Sequence, residues 1–447
     1  MPTVETSLLR PEPTTASIRG TGSFVKGWVS QPNTRGTFDI LRTCLVAVFL
    51  CTFTVLCLNV PSKAESWRKI FYRKLRWMLL AIIGPEFVLG FAAGQYENAY
   101  KAVAAFKDRG YSWTMRHAFF AEMGGFHLYP RNSTPFPVNN KHILWLMDHG
   151  YMGLPAVRRE EIWDKSKADT LVKVIVAIQI AWVLLNVVAR ASQNLAITTL
   201  ELGTVSIVVM SICIHVTWLH KPMDVMTPIP LHIDASMAEI LCAAGDDARK
   251  PYAMTPLDFV DNMGPSWTAN VLAFINIRAG PRARPLPRFT NDRFPHVRGP
   301  RYILLVVTTL FGVGIHLFGW NFYFPTRVEQ IAWRVASLQM LFTAALFWGV
   351  EIIAGWKRDN VVELWYCMIF TPGRLDALRE RRRQRPPRPQ PTPADFPLRW
   401  ECGVSATMAL LYSIARVYTL VEMFWGLREL PSNTYTCVEW TNFLPHI

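Results

Sequence analysis

Residues 171–189 read LVKVIVAIQIAWVLLNVVA, a run in which Lys173 is the single charged side chain. A helix advances about 1.5 Å per residue and the bilayer hydrocarbon is about 30 Å thick, so roughly 20 such residues reach across it. A soluble amphipathic helix interrupts its apolar stretch every few residues to keep a solvated face, and this segment does not. A short link leads to a second block, Ala196–Leu219, stopped by His220-Lys221-Pro222. Outward in both directions the pattern recurs at Ile40–Val60, Leu75–Ala93, Tyr302–Phe324, Ile331–Ile353 and Gly403–Trp425. The expected fold class is therefore all-α, a polytopic transmembrane helical bundle of about seven spans. Two long interhelical regions in it are expected to contain short amphipathic helices.

The domain layout follows. Residues 1–38 read as a mobile polar segment, and 39–95 as transmembrane helices 1 and 2, the first an uncleaved signal anchor. Residues 96–170 form an extramembrane aromatic and charged region, and 171–222 hold helices 3 and 4. Residues 223–301 are an extramembrane Pro/Arg-rich region, 302–354 helices 5 and 6, 355–402 a basic linker, and 403–447 helix 7 with the C-terminal tail. No internal repeat supports an inverted-repeat transporter.

The net charge of +14 sits almost wholly outside the apolar blocks. Basic loops beside apolar spans face anionic lipid or set topology, and no basic–aromatic module points to nucleic acid as a partner. Cys44, Cys51, Cys57 and Cys213 fall inside spans, where a thiol acts as a small hydrophobe. Cys242, Cys367, Cys402 and Cys437 fall in or near loops and are free to pair if those loops face an oxidising lumen.

Orientation signals conflict. The short loop Pro61–Lys74 carries Lys63, Arg68, Lys69, Arg73 and Lys74, which makes it cytosolic by the positive-inside rule. With seven spans that puts the N-terminus and 96–170 in the lumen, in keeping with the sequon Asn132-Ser133-Thr134 as a glycosylation site. The arginine run at 379–388 would then be lumenal too, against the rule. An uncounted eighth segment would remove the conflict.

Ionisable groups in hydrocarbon are costly and face a bundle interior or a wet cavity. Glu86 follows Pro85 in the second span. Gln179, Asn186 and Arg190 share one face of the third, and Glu201, Thr204, Ser211 and His215 one face of the fourth. Thr309, Gly312, His316 and Trp320 form a stripe in the fifth. Ser405, Tyr412, Arg416 and Thr419 form one in the seventh, with Glu422 a turn further on. Such stripes serve either as interhelical hydrogen bonds and ion pairs, for example Arg416 with Glu201 or Glu422, or as the lining of a functional cavity. His117, His127, His142 and His149 lack the HxxxH or HxxHH spacing of membrane di-iron enzymes, so neither a metal nor a cofactor is expected. Walker, dinucleotide, GxSxG and aspartate-rich diphosphate motifs are absent from the sequence.

Several strings are familiar together: GWVSQPNTRGT at 27–37, Pro85-Glu86, HAFFAEMGGF at 117–126, DKSKAD at 164–169, Glu201-Leu202, KPMDV at 221–225, Gly314-Ile315-His316, WNFYFP at 320–325, Val421-Glu422, Leu427-Arg428, and WTNFLPHI at 440–447. In this order the chain resembles a widely expanded, largely uncharacterised family of filamentous-fungal multi-pass membrane proteins. The resemblance implies an endomembrane location, the endoplasmic reticulum ahead of the plasma membrane, and an association with secondary metabolism. By analogy with transmembrane terpene cyclases, one expected function is a membrane-embedded cyclase or isomerase acting on a lipophilic terpenoid or polyketide-derived substrate. A carboxylic acid held in an apolar cavity can stay protonated and donate to an epoxide or alkene. Glu86 is the first candidate acid and Glu201 the second. Arg416, Glu422 and His316 are supporting candidates, and Trp182, Trp218 and Trp320 could face a carbocation. The rival class is a non-catalytic scaffold, receptor-like protein or transporter, working with other membrane-bound pathway enzymes.

Overall fold

The computed structural model describes residues 23–30, 35–165, 168–249, 252, 254–260, 284–291, 297, 300–358 and 399–440. The arginine run 379–388, Cys367, most of the stretch 278–299 and the end of the tail lie outside the described residues. Most of the chain is helical. Six helices are long and apolar enough to cross a membrane: Thr37–Thr54, Val174–Ser192, Thr199–Thr217, Pro300–Asn321, Arg327–Ile353 and Gly403–Arg428.

In chain order, α1 is Thr37–Thr54, α2 Trp67–Ile83 and α3 Pro85–Asp108. The short helices α4 (Met115–Glu122), α5 (Asn140–Asp148) and α6 (Arg159–Asp164) follow. Then come α7 (Ala168–Ser192), α8 (Thr199–Thr217), α9 (Met237–Ala244) and α10 (Pro300–Gly314), which tightens into a 3₁₀ turn over Ile315–Asn321. Arg327–Arg358 is α11 and Arg399–Trp425 is α12. The bundle closes tightly where small residues allow. A Cβ on Gly312 of α10 would collide with Met210 Sδ of α8, and Ser206 Oγ donates to the Gly312 carbonyl across the same gap (2.9 Å).

The expected second span, Leu75–Ala93, is not one continuous helix. Its apolar length is real, but Gly84-Pro85 breaks it, and α2 and α3 meet at a bend of 111°. Pro85 has no N–H to continue α2 and suits the first turn of α3. Gly84 is needed because a Cβ there would lie 2.6 Å from Phe87 Cδ2. A turn of more than a right angle sends α3 back the way α2 came. Lys74 of α2 binds Asp224, just beyond α8, at 2.8 Å. Gln95 of α3 accepts from Lys221, also just beyond α8, at 2.8 Å, and Glu97 pairs with Arg301 at the start of α10 at 2.6 Å. Both arms of the hairpin thus open to the same end of the bundle, here the loop end.

The loop end carries a folded layer. Strands β2 (Phe126–Arg131), β3 (Phe136–Val138) and β4 (Ile229–Ser236) form a sheet of order β3-β2-β4; β2 is antiparallel to β3 and parallel to β4. Phe119, Phe120, Phe126 and Phe136 are fully buried beneath it. The all-α expectation omitted these strands. The layer also overturns the placement of 61–74 and 96–170 on opposite sides of the membrane. Val60 N–H donates to the Met123 carbonyl (3.0 Å) and Lys63 Nζ to Tyr129 OH (2.8 Å). Those contacts would be impossible across a bilayer. Asn132, at φ +62°, is exposed in the turn between β2 and β3 at this same end.

At the opposite, terminal end, β1 (Phe24–Lys26) pairs antiparallel with β5 (Glu429–Pro431), so part of the expected mobile segment 1–38 is a strand. Cys242 and Cys437 are exposed and unbonded.

Candidate functional site

The break at Gly84 lies deep in the bundle, and four side chains gather around it. Tyr412 and Arg416, one turn apart on α12, face it from one side. Glu86, in the first turn of α3, accepts a hydrogen bond from Tyr412 OH at Oε2 (2.9 Å). Its Oε1 is buried with no hydrogen-bond partner. Interruption of α2 frees the Ile82 carbonyl, and Arg416 Nε and Nη2 donate to it at 3.4 and 3.3 Å. The third nitrogen, Nη1, meets His316 Nε2 at 2.7 Å. His316 Nδ1 lies 3.1 Å from the Val313 carbonyl, which fits one tautomer: Nδ1–H donates to Val313 and Nε2 accepts from Arg416. Arg416 and His316 are both fully buried.

A narrow cavity of about 50 Å³ opens beside this cluster, with Glu86, Tyr412, Thr309, Thr343 and Trp348 among its lining. The Trp348 indole N–H is buried there without an acceptor, so the wall carries an unpartnered indole N–H as well as the unpartnered carboxyl oxygen. Phe87, Ala344, Phe347, Met408 and Ala409 form an apolar rim that is partly exposed among the described residues. The enclosed space equals about one to two waters, so it admits a small group beside an acid, a phenol and an N–H donor.

The other sequence-selected residues are elsewhere. Glu201 sits at the terminal end in the capping box of α8, accepting from Thr198 N–H (2.9 Å) and Thr198 Oγ1 (3.0 Å) at Oε2 and pairing with Arg35 at Oε1. Its partners are complete, which leaves it no free oxygen for acid chemistry. Arg190 donates to the carbonyls of Ala196, Asn433, Thr434 and Thr436, fastening the C-terminal segment. Glu422 is buried at the terminal end of α12, three turns past Tyr412. Arg416 therefore pairs with neither Glu201 nor Glu422 but with His316 and a backbone carbonyl. The tryptophans expected to face a carbocation do not reach the cavity. Trp182 stacks on Trp440, Trp218 donates to Gln95, and Trp320 lies over Arg334. Trp348 takes their place at the cavity, a residue sequence reasoning passed over. Gly84-Pro85, the strongest local breaker in the apolar blocks, was the signal for where the site would form.

Outside the apolar helices, burial lowers the titration of His117, His127 and Lys221. Burial, with Lys63 nearby, pushes His127 down to about 4. Burial likewise lowers Lys221 to about 8, although Cys57 and Glu122 oppose the shift. Among the described residues no group of three or more His, Cys, Asp or Glu side chains could hold a metal ion.

No curated protein and no solved structure matches the chain. One family does, over residues 8–244 and 300–447, well over half of the length. The chain belongs to that family, described as a family of unknown function (DUF8562).

Proposed function

We propose that the protein is a fungal endomembrane cyclase or isomerase of secondary metabolism, acting on a lipophilic terpenoid or polyketide-derived substrate at the Glu86 cavity. The observation that carries this reading is the Glu86 carboxyl, held by Tyr412 through one oxygen with the other unpartnered among apolar walls. Protonated, it delivers its proton to an alkene or epoxide and becomes a carboxylate. The substrate cation rearranges or closes a ring, then loses a proton to the carboxylate, so product and substrate have equal mass. Arg416, held by His316 and Ile82, stabilises the carboxylate during that interval.

The membrane arrangement proposed with it has six crossings, with α2–α3 as a re-entrant hairpin. In this arrangement α11 ends and α12 begins at the loop end, the end that carries the basic loop 61–74. The positive-inside rule, applied to the short basic loop 61–74, makes that end cytosolic, and Asn132 stays unglycosylated.

Purified protein in lipid nanodiscs, given prenylated and polyketide-derived epoxides and alkenes, should form isomers of unchanged mass. Glu86→Gln should lower turnover at least about 100-fold, the scale of general-acid catalysis. Wild-type turnover by that variant would remove Glu86 from the mechanism. The folded layer at the loop end favours a second reading, a scaffold for pathway enzymes, and absence of turnover with every substrate would support it.

A further inference from the structure

Helix α2 joins two unlike halves. Residues 67–76 carry Arg68, Lys69, Arg73, Lys74 and Arg76 with no acidic side chain, and 77–83 read WMLLAII. At about 100° per residue, Arg73, Trp77 and Ala81 share the face that is buried in the bundle. Arg68, Lys69, Tyr72, Arg76 and Leu79 share the face turned away from it, and all five are exposed.

The other two cations of α2 are neutralised, Arg73 by Glu65 at 2.6 Å and Lys74 by Asp224 at 2.8 Å. Among the described residues, the side chains of Arg68, Lys69 and Arg76 have no hydrogen-bond or ion-pair partner. Arg68 and Lys69 stand in the first turn, where the positive end of the peptide dipole disfavours cations. Ser66, at the N-cap, makes no side-chain hydrogen bond to that turn. An anion held over this face removes the electrostatic cost of the arrangement. Trp67 and Phe71 stack beside it at 5.7 Å between ring centres, both exposed, as aromatic side chains do at the level of lipid head groups. The depth agrees. Asp224, which holds Lys74, lies just beyond α8, a helix long enough to cross the membrane. In the six-crossing arrangement the basic half of α2 therefore stands in the head-group layer, and the apolar half enters the hydrocarbon.

We infer that the outer face of α2 is a binding site for an anionic phospholipid, with its phosphate at Arg68, Lys69, Arg76 and the Tyr72 hydroxyl and an acyl chain along Leu79. Arg68 and Arg76 are about 12 Å apart along the helix, so their long side chains can bend toward one head group. The face runs from cations and phenol to an apolar side chain in the same sense as a lipid runs from phosphate to tail. An inorganic anion would leave Leu79 and the aromatic pair unused, and a zwitterionic head group would bring its own ammonium to the cations. The inference rests on the hairpin entering the bilayer from the loop end and involves no chemistry at Glu86.

Native mass spectrometry of the detergent-purified full chain, titrated with dioleoyl phosphatidylserine or dioleoyl phosphatidylcholine, tests the inference. The serine lipid should bind at least about tenfold more tightly, and Arg68→Gln/Lys69→Gln/Arg76→Gln should remove that preference. Arg68→Gln and Arg76→Gln singly should each weaken the serine lipid about fivefold, the scale for one basic residue at an anionic surface, and they serve if the triple variant does not fold. Lys107→Gln/Arg131→Gln/Arg159→Gln, an equal loss of charge from exposed residues at the loop end, should keep the preference. Glu86→Gln should keep it too, so that failure of the proposed reaction and failure of this site read separately. Equal affinity for the two lipids, full affinity in the triple variant or in both single variants, or an equal loss in the Lys107 set overturns the assignment. Displacement of the lipid by inorganic phosphate overturns it as well, in favour of a site for the free ion.

Discussion

Arg416 holds three separate elements together through one guanidinium, touching Ile82 at the end of α2 and His316 in the turn after α10 from its own place on α12. Arg416→Leu should leave the Ile82 carbonyl and His316 Nε2 without partners, at about 1–3 kcal/mol for each orphaned group. A fall in Tm measured in nanodiscs checks this, and an unchanged Tm would show that the cluster adds little to stability. His127 gives a pH-dependent effect of known sign. Its folded value of about 4 lies below the ordinary 6.5, so between these values the unfolded chain binds more protons. Stability from this residue is complete above pH 6.5 and is lost as pH falls toward 4. Unfolding followed from pH 7 to 4 should show the loss, and His127→Phe should flatten that part of the profile. At this scale the stripe Tyr412, Arg416, Thr419 and Glu422 was legible, because helical spacing places these residues on one buried face. Their partners were not legible, since periodicity names a face without naming what it meets.

Among the elements, the α2–α3 hairpin shows where hydropathy stops being informative. Residues 75–93 are apolar enough to span, but apolar length carries no direction, and a chain that enters and turns back has the same composition as one that crosses. Direction came from Gly84, whose missing side chain admits the Phe87 ring. Gly84→Leu should overpack this corner at about 1–3 kcal/mol. Gly84→Ala should cost less, because the clashing atom belongs to a rotatable ring. The difference in Tm between the two variants measures how rigid the corner is. Strands β2, β3 and β4 were not legible for another reason. β3 has three residues, both β2 and β4 contain proline, and β4 reaches β2 only across about 100 residues of intervening chain. Local pattern gives such pairings no signal.

For the whole molecule, the proposed arrangement of six crossings with a cytosolic loop end makes a single orientation that can be tested. Microsomal translation should leave Asn132 unmodified. A sequon inserted into the α7–α8 link, in a variant that still folds, should be glycosylated. Modification of Asn132 would reverse the orientation. Six of the seven apolar blocks coincide with helices long and apolar enough to cross a membrane, because hydropathy sums over composition that a single sequence displays in full.

The β1–β5 pair has a consequence for biogenesis. Val25 emerges from the ribosome early, and its partner Leu430 is made about 400 residues later. At about 5–20 residues per second that delay is roughly 20–80 s. Arg35 must likewise wait for Glu201, so the terminal end stays unsealed until the last helix is inserted. An open strand edge in that interval advertises an unfinished chain to chaperones and proteases, and closing it is the step that ends the protein's time as a nascent client.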